Sequence, residues 1–315
     1  MPERLTQVLQ HSGLSDLLIN GESQAFADFG QGLKPLSLGF KTDAAIEDLA
    51  RELLQLADRH VDFANPFADC VLTAGQLGLI GEATFRVHVV LASASSPHTL
   101  ISVRKHHSQA IGLHEFCGGR LELELWLRGV LARRENFLVS GATGAGKTTL
   151  LRALVQQCFG ERIIAIEETS ELAPVAGHFV SLQTRQANTE GRGAIGLDQL
   201  LREALRMRPD RLLLGEVRGI ELLTLLNALN TGHRGAAATI HANNASAVAT
   251  RINTIGLQAG WSSRAVAAAS AEALQWVVHV ESAGGQRTIA EVGRLTLGRR
   301  GQLVVTEMVD FGAHL

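Results

Sequence analysis

The stretch from Ser140 to Leu150 reads SGATGAGKTTL, and Gly141, Gly146, Lys147 and Thr148 satisfy the spacing G-x-x-x-x-G-K-[ST]. That spacing suits phosphate chemistry: glycines let successive backbone N–H groups turn inward towards anionic oxygens at the positive end of a helix. A lysine after the last glycine reaches the β- and γ-phosphates, and the next hydroxyl suits Mg²⁺. The nucleotide-binding candidates are therefore Gly141, Ala142, Thr143, Gly144, Ala145, Gly146, Lys147, Thr148 and Thr149, with ATP and Mg²⁺ as the expected cofactors. The flanks carry the required context. Asn136–Ser140 is a short apolar run with the composition of a buried strand, and Leu150, Leu151, Leu154 and Val155 fall at helical spacing before Gly160.

Three polar clusters follow apolar runs downstream, at strand ends where parallel α/β sheets place ligand sites. Glu167 and Glu168 follow Ile163–Ile166, with Glu171 a turn later. Carboxylates there are placed to orient an attacking water or a metal-bound water. Glu216 follows Leu212-Leu-Leu-Gly215 in the position of a Walker B acid, where a charge after a buried strand calls for a partner such as a metal ion. Thr148 and Glu216 are thus the metal-binding candidates. His233 reads as a structural histidine, whereas His241, ending Thr239-Ile-His, is placed to sense a γ-phosphate.

The elements that position these residues fall into two sections. Up to about His107 the pattern predicts a small α+β domain with an antiparallel sheet: a strand running into a turn over Asp16–Gly21, an alternating stretch at Ala25–Phe29, strands at Phe85–Leu91 and Thr99–Arg104, and a helix from Thr42 or Asp43 to His60. Beyond a helix at Leu121–Arg134 and the glycine loop, strands alternate with helices, as in a parallel sheet wrapped by helices, and β-hairpins follow from Trp276. The expected boundaries are an N-terminal domain at 1–110, a linker at 111–119 and an α/β core at 120–315. A chain of 315 residues exceeds what one core supports. Its 46% hydrophobic and 19% charged residues exclude a disordered class, and a net charge of −2 gives no global field for nucleic acid. Three scattered cysteines supply neither a disulfide framework nor a CxxC metal site. MPERLTQVLQHSG has no apolar signal region, and no run approaches the roughly 20 apolar residues of a membrane span.

The sequence resembles the secretion ATPases of type II/IV secretion and type IV pilus systems. Four motifs match in the family's order: GATGAGKTT from Gly141, IEETSEL from Ile166, LRMRPDRLLLGEVRG from Leu205, and LNALNTGHRGAAATIHAN from Leu226. DLLINGE from Asp16 and ISVRK from Ile101 extend the resemblance over nearly the whole chain. RMRPDR…GEVRG and TRQANTEGRGAI from Thr184 point to the Tad/Flp pilus assembly ATPases (CpaF-like), including the conjugal-transfer-associated type. The resemblance implies a RecA-like P-loop ATPase core with a smaller N-terminal α+β domain, and a cytoplasmic, homo-oligomeric ring (a hexamer) with ATP between the domains. It further implies an inner-membrane platform protein as partner, no direct nucleic acid contact, and a peripheral position at the cytoplasmic membrane. Carried over by motif, the catalytic candidates are Glu216, Glu167, His241 and Arg104, the last resembling an arginine that reaches the phosphates; Arg86 and Arg185 are weaker candidates. Glu168 stands where the family usually has aspartate, and Ala92–Ser96 where relatives usually have a proline-containing turn. Two rivals stay open: a nucleic-acid translocating RecA-like motor, which 4% aromatic residues disfavour, and a conjugal type IV secretion ATPase.

Overall fold

The computed structural model describes residues 1–93, 95–106, 111–169, 171–172, 177–185, 192–283 and 286–306. The chain forms two compact units, Met1–Gln109 and Ala110–Leu315.

The first unit runs α1 (Glu3–Gln10), β1 (Asp16–Asn20), β2 (Ala25–Asp28), β3 (Leu33–Leu36), α2 (Asp43–Gln55), β4 (Phe67–Thr73), β5 (Thr84–Val90) and β6 (Leu100–His106). Its six strands form one sheet in the order β3-β2-β1-β6-β5-β4, antiparallel throughout. Alternation decides which face is covered: Phe85, Val87 and Val89 point into the core with Leu5 and Leu9 of α1 and Ile46, Leu49 and Leu53 of α2. Thr42 caps α2, its side chain accepting from the Ala45 N–H. The helix stops at Gln55, short of His60, because Asp58 takes φ 54° and the Arg59 N–H closes back onto the Leu54 carbonyl. Pro35 sits in edge strand β3, where a missing N–H costs no ladder bond.

The second unit runs α3 (Leu113–Phe116), α4 (Leu121–Ala132), β7 (Phe137–Gly141), α5 (Lys147–Val155), β8 (Ile163–Glu167), β9 (Phe179–Gln183), α6 (Leu197–Leu205), β10 (Arg211–Leu214), α7 (Glu221–Asn230), β11 (Ala237–His241), α8 (Ala247–Gln258), α9 (Ser263–Ala273), β12 (Trp276–Ala283), β13 (Gln286–Leu297) and β14 (Leu303–Thr306). The eight-stranded sheet has the order β14-β13-β12-β7-β11-β10-β8-β9. Strands β12 to β9 in that order are parallel, and β13 and β14 add an antiparallel edge. β7 and β8 are buried along their whole length because both faces are covered. Leu138, Ile164, Ile166, Leu212 and Leu214 face the core built with α6 to α9, while the alternate Phe137, Val139, Ile163, Ala165 and Leu213 face that built with α3 to α5.

The segment 111–119, expected as a linker, is instead part of this unit. Leu113, Phe116 and Cys117 are buried in the core beside Leu150 and Leu154 of α5, so short helix α3 seals the sheet rather than spanning a gap. The Gly284-Gly285 turn and parts of the IEETSEL and TRQANTEGRGAI motifs lie outside the described residues.

Gly256 marks the closest approach of α8 to α9. Alanine gains about 1 kcal/mol of helix propensity over glycine. However, a Cβ at Gly256 would lie 2.2 Å from Val266 Cγ2 and 3.0 Å from Cγ1, on a β-branched side chain that cannot swing away within a helix. Overpacking of that kind costs about 1–3 kcal/mol. Gly256→Ala is therefore expected to lower the melting temperature, read by calorimetry; a rise would mean that the helices do not meet so closely.

Candidate functional site: a phosphate loop with an acid, a histidine and a lysine in series

The glycine loop leaves the C-terminal end of β7 and enters α5, with Gly141, Gly144 and Gly146 at φ 157°, 77° and 99°. A Cβ at Gly141 would lie 2.6 Å from the Val280 carbonyl oxygen of β12, so only glycine lets the neighbouring strand approach this closely. Lys147, the first residue of α5, is 8% exposed. Its Nζ lies back across the loop, donating to the Gly141 carbonyl at 3.1 Å and the Ala142 carbonyl at 2.9 Å. Burial lowers its pKa. A desolvated cation on carbonyl oxygens at a helix N-terminus, beside positive-φ glycines, fits an anionic phosphate chain.

From Lys147 a series of contacts runs to the acids. Nζ lies 3.3 Å from Nδ1 of His241, and Nε2 of the same ring lies 3.0 Å from Oε1 of Glu216. An ammonium can only donate, so Nδ1 accepts and the ring proton stands on Nε2, aimed at Glu216. Burial, and then the Lys147 charge, depress the His241 pKa, which keeps the ring neutral at neutral pH. Burial raises the Glu216 carboxyl, but the Arg218 hydrogen bond and the charges of Arg218 and Lys147 outweigh it, so Glu216 titrates below its ordinary value. The turn carrying Glu216 is fixed by β11: the Val217 N–H donates to the Thr239 carbonyl at 2.8 Å, and the Thr239 hydroxyl donates to the Gly215 carbonyl.

Arg218 donates to Glu216 at 2.8 Å and to Glu168 at 3.0 Å, tying together two acids that are far apart in sequence. Arg218 lies within GEVRG, and its position two residues after Glu216 is the signal in the sequence that marks it. His233 Nδ1–H donates to the Ala228 carbonyl of its own helix end at 3.1 Å, a structural contact.

Glu167 ends β8 beside Gly215, whose added Cβ would lie 3.1 Å from Glu167 Cγ. Oε1 accepts from the N–H groups of Glu171 and Leu172 at 3.0 and 2.9 Å, and Oε2 is buried with no hydrogen-bond partner among the described residues. Burial pushes this carboxyl up to about 7, against the pull of those two N–H groups. A carboxyl whose folded pKa exceeds its unfolded value stabilises the fold below the unfolded pKa, and that stability is lost as pH rises to the folded one. From the ordinary carboxyl value of 4.5 to about 7, this amounts to about 3 kcal/mol. Chemical denaturation at pH 5 and pH 8 should thus show a smaller pH-dependent loss in Glu167→Gln than in the native chain; equal losses would mean that Glu167 is ionised throughout.

Among the described residues no three His, Cys, Asp or Glu side chains gather into a metal cage. The oxygen donors at hand, the half-buried Thr148 hydroxyl and the Glu216 carboxylate, instead suit an ion that takes one or two protein ligands and completes its shell with phosphate and water.

In the first unit, Arg104 pairs with Asp16 at 2.8 Å and stands opposite Arg86 across β5 and β6. Two cations facing each other across strands are unfavourable unless anions compensate. Asp16 does so for Arg104, and Asp69 lies 3.9 Å from Arg86. Arg185 donates to the Gly193 carbonyl at 2.7 Å, closing a loop beside β9.

A family model described as Type II/IV secretion system protein matches residues 4–301. A protein of Mycobacterium tuberculosis (strain ATCC 25618 / H37Rv) whose given name places it in conjugal transfer is 38% identical over 298 residues, covering 92% of this chain and 83% of that protein. The conjugal transfer protein TrbB of Rhizobium radiobacter is 27% identical over 298 residues, covering 92% and 86%. Among solved structures, the pilus retraction motor PilT with bound ADP is similar in fold, with a TM-score of 0.64 at 20% identity, covering 98% of this chain and 83% of that one. The extent of the family match and the identity to the mycobacterial protein place the chain in the type II/IV secretion ATPase superfamily.

Proposed function

We propose that the chain is an Mg²⁺-dependent, ATP-hydrolysing motor with a RecA-like P-loop core, acting as a homo-oligomeric ring, a hexamer, in Tad/Flp-type pilus assembly or a related secretion system. The observation that carries this reading is the series Lys147–His241–Glu216 beside the glycine loop. It brings a phosphate-binding cation, a neutral ring and an ionised carboxylate within hydrogen-bond reach of one another. In this reading Lys147 leaves the loop carbonyls to grip the β- and γ-phosphates, and His241 then follows the γ-phosphate through its bond to Lys147. Glu216, ionised and close by, orients the attacking water, with Glu167 as a second, more basic carboxylate. Magnesium, when bound with the triphosphate, neutralises charge on its oxygens, and Thr148 and Glu216 are the residues to hold it. Arg104, in domain 1–110, keeps in this reading the role of a phosphate-contacting arginine.

No helix among the described residues is long and apolar enough to cross a membrane. We assign the motor to the cytoplasmic face of the membrane, held there by a platform protein. A second reading, a conjugal type IV secretion ATPase, is favoured by the relatives named for conjugal transfer. Deleting the gene separates the two: loss of surface filaments supports pilus assembly, and loss of plasmid transfer with filaments intact supports conjugation. The motor itself is tested by phosphate release against Mg²⁺ and by particle mass in ATP. A fully active monomer would contradict the ring, and strong stimulation by DNA would revive the nucleic-acid motor.

A further inference from the structure

β7 is flanked by β11 on one side and by the β12–β13 pair on the other. The residues assigned to the γ-phosphate, His241 and Glu216, come from the β11 and β10 side. The opposite flank also delivers a charge. Ser140 pairs with His279 in the β7–β12 register, and Ser282 pairs with Arg287 in the β12–β13 register. Three residues of β12 past His279, at about 3.3 Å each, carry Arg287 beyond the end of β7, to where the loop begins. The guanidinium lies against the loop itself: Nη1 is 3.4 Å from the Thr149 hydroxyl, and a Cβ at Gly146 would lie 2.6 Å from Arg287 Cδ. Among the described residues no carboxylate pairs with Arg287. β12, with which the strand of Arg287 pairs, is held to β7 by a buried hydrogen bond of 2.9 Å between the Ser140 hydroxyl and His279 Nδ1, and by the close approach of the Val280 carbonyl to Gly141.

We propose that Arg287 is a further phosphate-binding residue, contacting the α-phosphate of a nucleoside di- or triphosphate held by this loop. A half-buried cation with no carboxylate partner among the described residues, aimed at the helix start from the flank away from the γ-phosphate cluster, has that phosphate as its natural partner. This assignment rests on the nucleotide-binding reading above, and the experiment separates the two.

ADP and a slowly hydrolysed ATP analogue are titrated into the native full-length chain, Arg287→Ala and Arg287→Lys, and KM and kcat for ATP are measured in parallel. An α-phosphate contact is present with either ligand. Arg287→Ala should therefore weaken both by the same factor, about tenfold for a charge-assisted contact, and raise KM by more than it lowers kcat. Arg287→Lys, which keeps the charge without the planar fork, should recover part of the loss, and it carries the comparison if the alanine variant does not fold. Unchanged ADP affinity in a native chain that binds ADP overturns the proposal, as does a loss confined to the triphosphate. A native chain that binds neither ligand overturns the nucleotide reading itself.

Discussion

Lys147→Ala is expected to weaken ATP binding by about 100-fold and to reduce phosphate release to background. The size follows from where the ammonium stands. It is buried and desolvated, and it rests on two carbonyl oxygens at the head of α5, so it exchanges weak acceptors for charged phosphate oxygens when the nucleotide enters. No other lysine or arginine in the loop takes its place, because the remaining loop residues are small and apolar or carry hydroxyls. The loss should appear for ADP as well as ATP, but more strongly for ATP, since the amine reaches the γ-phosphate only in the triphosphate. Titration calorimetry checks the affinity and a phosphate assay the turnover. Lys147→Ala protein that still binds ATP within threefold of the native chain would make the series from Lys147 to Glu216 a structural arrangement only.

The second large effect is expected at Glu216. Replacing its carboxylate by an amide should slow hydrolysis by about 10²–10³-fold, the usual size of a lost general base or metal ligand, while ATP binding stays within a few-fold. The two partners of this carboxylate explain why the shape survives. His241 Nε2–H and Arg218 both donate to it, and an amide oxygen still accepts one of those bonds. What disappears is the charge, so Arg218 is left with Glu168 as its anionic partner. Turnover and affinity should separate: Glu216→Gln protein should bind ATP and hold it. A variant with native turnover would move the chemistry to Glu167, whose pKa near 7 gives it the basicity to serve.

Much of this site can be read along the chain because its parts are contiguous or end a strand. The loop lies within nine residues, and Glu216 and His241 follow apolar runs that could only be buried strands. The relation between them was open until the sheet order was known, since Lys147 meets His241 only because β11 pairs with β7, Gly141 opposite His241. Arg218 and Arg287 escape a linear reading for the same reason: an arginine's partner is set by strand register and not by its neighbours in sequence. Cys117-Gly-Gly119 reads as a breaker and so predicts a linker at 111–119, whereas burial of Leu113 and Phe116 makes the segment part of the core. The strands at Phe67–Thr73 and Phe179–Gln183 carry weak alternation, and helix α9 is rich in alanine, whose small apolar side chain marks no face.

The bond between Ser140 and His279 joins residues 139 apart in the chain. A growing polypeptide therefore carries its nucleotide cradle for a long time before the strand that braces it has been synthesised. Nascent chains that stop before β12 should hold the loop without its wall and bind no nucleotide, even though every residue of the glycine motif is already present. Such a late-completed site delays ligand stabilisation until β12 has been made and paired.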